Sequence, residues 1–231
     1  MRTLVPLYAL LSLAPAVATA QTSPDARPRP AERLLGGWIA ASVAPSTRFG
    51  YISDRRFFVA ALRAQYLLDT FGPLALASTF DVVPIAILSN TPTYEAMNVR
   101  GPDSAMVRFK YETGRAAVFG AGIVPAGFQL YTLSAGPARF FLGASAGVLW
   151  FTRDTPIPDA RRMNFAVDMS GGVEVLARDG RAVVVGYKFQ HLSNGGTAFQ
   201  NPGFDAHLLY VGLLRRRGRV RTGQEEATVA R

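Results

Sequence analysis

His191 and Ser193 stand two residues apart at the end of a run in which Val183, Val185, Tyr187 and Phe189 alternate with Lys188 and Gln190. Side chains in a strand alternate between its two faces, so both polar residues fall on the apolar face. An imidazole beside a hydroxyl can take its proton as Oγ attacks a carbonyl, provided that an acid holds the ring in the useful tautomer. The acid within reach is Asp205, just past the next loop. Asn194, Gly195 and Gly196 follow the serine directly and offer a side-chain amide or backbone N–H groups to a developing oxyanion. The plainer reading is a polar rim where a strand enters its loop, with Asn-Gly-Gly as turn residues. His207 shares a face with Asp205 and is a substitute base or an ordinary rim histidine.

The rest of the composition removes other chemistries. Two histidines, no cysteine and no clustered carboxylates argue against a metal site, and nothing in the chain calls for a cofactor. The net charge of +9 first suggests nucleic acid, but five arginines fall within 215–221 and no aromatic-interleaved basic face accompanies them. A solvated basic tail over 216–231 is the expectation, with no nucleic-acid partner.

What holds these residues must be a sheet. Fifteen Phe, eight Tyr and 22 Gly favour strands over helices. The chain parses into strands near 34–43, 57–70, 74–88, 116–133, 138–152, 164–178, 181–193 and 204–215. Tight turns at "FGP", "SAGP" and "RDG" alternate with longer connections at Ala44–Arg56, Ser89–Arg115, Thr152–Met163 and Asn194–Gly203. The uncharged stretch from Ala116 to Ala138 is long enough to span a bilayer as a helix, but its glycines and prolines make a poor one.

Short turns alternating with long loops are the mark of an up-and-down outer-membrane barrel. The fold expected is therefore all-β: an eight-stranded antiparallel transmembrane barrel over 34–215, closed because lipid tolerates no open edge. A soluble lipocalin-like barrel or a sandwich is the alternative. Residues 1–20 read as a secretory signal, with Arg2, an apolar core over Leu4–Leu13 and Ala18-Thr19-Ala20 as the cleavage site. Residues 21–33 read as a flexible lead-in. The seventh strand then climbs from the periplasm, so His191 and Ser193 face lipid where headgroups meet acyl chains. A polar pair there is costly unless it has a function.

At this point "HLSNGG", followed by "NPG" and an acidic residue, resembles the motif of the outer-membrane lipid A 3-O-deacylases of the PagL type. The resemblance implies an eight-stranded barrel with its triad on the outer wall, and an esterase removing the acyl chain at position 3 of lipid A. It implies His191 as general base, Ser193 as nucleophile and Asp205 as orienting acid, with Asn194 and Asn201 near the oxyanion site. This chain has Asp205 where the family members considered carry Glu, one methylene longer. It also continues past the last strand into a basic tail and has a long Ser89–Arg115 segment. The implied partners are lipid A or lipopolysaccharide of the outer leaflet and the outer membrane itself, and a homodimer is compatible. Arg48, Arg55, Arg56, Arg108 and Arg115 lie in or beside the outward loops, where they could pair with lipid A phosphates. The competing class is a non-enzymatic barrel with a structural or adhesive role.

Overall fold

The structure, a computed structural model, describes residues 32–217 apart from 104, 134 and 135. The expected signal peptide, almost all of the lead-in and most of the basic tail lie outside the described residues. Eight strands follow one another: β1 (Arg33–Ser46), β2 (Phe57–Phe71), β3 (Leu74–Arg100), β4 (Met106–Thr132), β5 (Ala138–Thr155), β6 (Arg161–Leu176), β7 (Arg181–Ser193) and β8 (Phe204–Arg216). Each pairs antiparallel with the next, and β8 pairs back onto β1, so the sheet closes into a barrel. Within the Ala116–Ala138 stretch, Ala116–Thr132 belong to β4 and Ala138 opens β5, and among the described residues no helix is long and apolar enough to cross a membrane.

Period-two alternation fixes which face is which. On β7, Ala182, Val184, Lys188, Gln190 and Leu192 are buried inside, while Val183, Val185 and Tyr187 are exposed outside. The outer wall presents Leu35, Ile39, Leu62, Phe80, Ile123, Phe128, Leu142, Trp150, Val167 and Met169, an apolar surface that suits acyl chains. The interior is polar but filled. Arg63 grips both oxygens of Asp81 at 2.7 Å, and Trp38 Nε1 donates to the same carboxylate at 3.1 Å. Lys188 pairs with Asp168 at 2.9 Å and lies over the Trp38 ring, while Arg139 pairs with Glu174, which also accepts from Tyr131. Three buried cations meet three buried anions, so the lumen is a charge-balanced packed core rather than a pore.

One expectation fails here. Ser89–Arg115 is not an irregular loop; β3 and β4 each run 27 residues and continue outward as a two-stranded ribbon that turns near 101–105. Met97 pairs with Phe109 and Val99 with Val107 on one face, while Asn98 pairs with Arg108 and Ala96 with Lys110 on the other. That alternation is regular, and such cross-strand pairs stabilise a ribbon. The charges interleaved in it give the segment a loop-like composition. β5 likewise continues to Thr155, and β6 already begins at Arg161.

Candidate active site

His191 and Asp205 are register partners across β7 and β8, so the sheet itself sets imidazole against carboxylate. Nδ1 of His191 lies 2.6 Å from Oδ1 of Asp205. A carboxylate can only accept, so Nδ1 carries a proton, and in the neutral ring Nε2 keeps its lone pair. The other oxygen, Oδ2, accepts the backbone N–H groups of Phe49 (2.6 Å) and Gly50 (3.0 Å) from the β1–β2 loop. Asp205 is wholly buried even though its parity points outward with His207 and Leu209. That loop is what covers it.

Ser193 closes β7 on the same outward face as His191, half-buried, with Phe165 of β6 as its cross-strand partner. Among the described residues its Oγ forms no hydrogen bond with His191. Catalytic contacts of this kind often close only around substrate. Behind the imidazole sits Gly203, with φ +63°; a Cβ there would stand 2.9 Å from His191 Cε1, so this position demands glycine on both counts.

The four candidate oxyanion residues build the loop after Ser193. Asn194 is buried, with its backbone N–H donating to Asn201 Oδ1 at 3.0 Å and its side-chain amide to Gln200 O at 2.7 Å. Its Oδ1 accepts the Gly196 N–H at 3.0 Å. The donors of Asn194 and Gly196 are thus committed within the loop, which Arg161 of β6 braces further through two bonds to Thr197 O. The Gly195 N–H has no protein partner among the described residues and stays available.

His207 is held elsewhere. Its Nδ1 bonds the Tyr187 hydroxyl and its ring meets Phe189 edge-on at 5.3 Å. Of the outward arginines, Arg55 and Arg115 both bond Asp54. Arg108 stands on the ribbon, beside a cleft of about 370 Å³ that Lys110, Arg153 and Arg162 also line. Phe49, Gly50 and Gly203 were not legible as site residues, because backbone donors and close approaches leave no chemical signature in a sequence. The only cue lies in the two Gly-containing loop pairs, "FG" and "PG".

A closed barrel with an apolar outer wall, carrying a carboxylate-braced imidazole on the face that also holds Ser193, defines a membrane-barrel protein. The family model described as lipid A 3-O-deacylase (PagL) matches residues 88–213, more than half of the chain, and the chain belongs to that family. It is accordingly an outer-membrane β-barrel of an ester hydrolase family. Among solved structures, the outer membrane enzyme PagL is similar at 16% identity, covering 78% of this chain and 97% of that one with a TM-score of 0.46. Neisserial surface protein A follows at 13% identity, 80% and 97% coverage and 0.47. Ail, the attachment invasion locus protein of Yersinia pestis, has 9% identity, 82% and 100% coverage and 0.38. No curated protein matches the chain.

Proposed function

We propose that the protein removes the ester-linked acyl chain at position 3 of lipid A, using Ser193, His191 and Asp205 as its triad. The observation that supports this most is the His191–Asp205 contact on the lipid-facing wall. A structural barrel gains nothing by burying a carboxylate there. His191 Nε2 takes the Ser193 proton as Oγ adds to the ester carbonyl, and Asp205 stabilises the imidazolium that forms. The tetrahedral oxyanion is met by the Gly195 N–H, with the side-chain amide of Asn201 as a second donor. Collapse expels the sugar alkoxide, which takes the proton from His191. Water activated by the same imidazole then releases the fatty acid and restores Ser193. The acyl chain stays along the apolar wall, against Phe165 and Val167, which are paired with Ser193 and His191.

The test is mass spectrometry of lipid A from outer membranes with and without the protein. Loss of one 3-O-linked acyl chain is expected with the native chain and not with Ser193→Ala, which should still give a folded, heat-resistant barrel. Because triad members act as a unit, His191→Ala should cost about as much and the double variant little more. Unchanged lipid A in the presence of the native protein would favour a structural or adhesive barrel.

A further inference from the structure

We propose that the first outward loop is a working part of the site, with Phe49 as a positioning residue that fixes the Asp205 carboxylate through its backbone and the His191 ring through its side chain. This rests on the reading of His191 and Asp205 as base and orienting acid.

The reasoning begins from burial. Asp205 sits at an outward strand position yet is wholly buried, and a carboxylate without water must be hydrogen-bonded on every side. Strands β7 and β8 supply only His191. The remaining bonds come from two successive backbone N–H groups, Phe49 and Gly50, converging on Oδ2. Consecutive amides aimed at one oxygen form an anion-binding nest. With Oδ2 pinned, rotation of the carboxylate is blocked and Oδ1 has one place to be, against His191 Nδ1.

The loop is itself docked. Tyr51 N–H donates to Pro202 O at 2.8 Å, and Ile52 forms a parallel bridge with Phe204. Gly50 lies so close to the start of β8 that a Cβ there would come within 2.7 Å of Gly203 C. The Phe49 ring is largely exposed at its outer side and meets Phe189 and His191 edge-on, with centroids 5.9 and 6.0 Å away. One residue therefore touches both members of the pair, and the segment that carries it lies about 150 positions away in sequence.

The chain has two histidines, so selective ¹⁵N labelling of histidine gives a spectrum of His191 and His207 alone. Three variants are compared: Gly50→Ala, which cannot keep the loop against β8; Phe49→Ala, which removes the ring; and Phe49→Tyr, which restores it. Each is made in the native protein and in Ser193→Ala. In the neutral form of the ring, native His191 should carry its proton on Nδ1. Gly50→Ala should mix the tautomers and lower kcat on lipid A about 100-fold with KM nearly unchanged, as expected when a catalytic group is misplaced by about 1 Å. Phe49→Ala should do the same to a smaller degree, and Phe49→Tyr should return both readouts to native. Heat-resistant mobility on gels reports that the barrel is folded in each.

A native His191 spectrum in Gly50→Ala and Phe49→Ala would overturn the proposal, as would losses confined to KM. The Ser193→Ala background separates this from the reading beneath it. If the native protein releases no acyl chain, the proposed function falls, while the tautomer shift in that background still decides the role of the loop.

Discussion

Asp205 and His207 lie two residues apart on the same face of β8, yet one is sealed beneath the first loop and the other is only half-buried and bonded to Tyr187. Both oxygens of Asp205 are already engaged by His191, Phe49 and Gly50, which leaves His207 no part in holding the acid. Asp205→Asn should therefore cost up to about 10⁴ in turnover by favouring the wrong imidazole tautomer. His207→Ala should leave turnover within a few-fold of native. Ester release measured across pH for the two variants checks this; a silent Asp205→Asn beside a dead His207→Ala would reassign the base.

The interior predicts a stability effect apart from the site. Asp81 is buried and answers both Arg63 and Trp38. Removing it strands a buried guanidinium, so Asp81→Ala should destabilise the barrel by about 3–5 kcal/mol. Replacing Arg63 and Asp81 together by apolar residues of similar size should cost far less. Urea unfolding in lipid vesicles, followed by gel mobility, distinguishes the single from the double variant.

The strands, their alternation and the shared outward parity of His191 and Ser193 were readable because period-two patterning and turn chemistry are local signals. His191, Ser193 and Asp205 stand out by side-chain type, and the β7–β8 hairpin brings the first and last into register. The ribbon beyond Ser89 escaped because Arg108, Lys110 and Glu112 look like loop composition, although Met97, Val99, Val107 and Phe109 mark one face of it. The roles of Phe49 and Gly50 escaped for a different reason. They act through N–H groups that every non-proline residue has, brought to Asp205 by closure of β1 onto β8.

Acid should loosen the first loop before it unfolds the barrel. Burial alone would raise the Asp54 carboxyl, but the Arg115 hydrogen bond and the charge and hydrogen bond of Arg55 outweigh it and hold it below its ordinary value. A depressed folded value means that the contribution is complete above the unfolded value of about 3.9 and is lost as pH falls through the folded one. Asp54 is nearly half exposed, so the effect is local. Pepsin cleavage near Phe49 and Tyr51, measured relative to the unfolded chain, should be faster at pH 2 than at pH 4. Asp54→Asn should be cut readily at both; equal protection in that variant would show that the Asp54 cluster does not hold the loop.

The orientation of the barrel is tested at the ribbon tip. A short epitope inserted after Asp103, exposed between β3 and β4, should be reached by antibody on intact cells. An epitope at the end of the chain should be reached only after the outer membrane is opened. Reversed accessibility would put His191 and Ser193 at the inner leaflet, away from lipid A.

The last prediction concerns the length of the acid. The resemblance to the deacylase family suggests that glutamate at position 205 would serve, and the geometry argues that here it serves less well. Asp205 spans from the Phe49 and Gly50 amides at 2.6 and 3.0 Å to His191 at 2.6 Å, with no exposed surface and hence no room for a further methylene. A glutamate must lift the first loop from β8 or press the imidazole toward Gly203, where even a Cβ would be 2.9 Å from the ring. Overpacking of this kind costs about 1–3 kcal/mol, which spread over loop and ring corresponds to a loss of roughly tenfold or more in turnover. Asp205→Glu should therefore fall below native and well above Asp205→Asn, with His191 still protonated on Nδ1. Lipid A deacylation rates of the three proteins, measured side by side, give the order. Activity of Asp205→Glu above native would show that the loop yields easily, and that the shorter acid is a substitution the site merely tolerates.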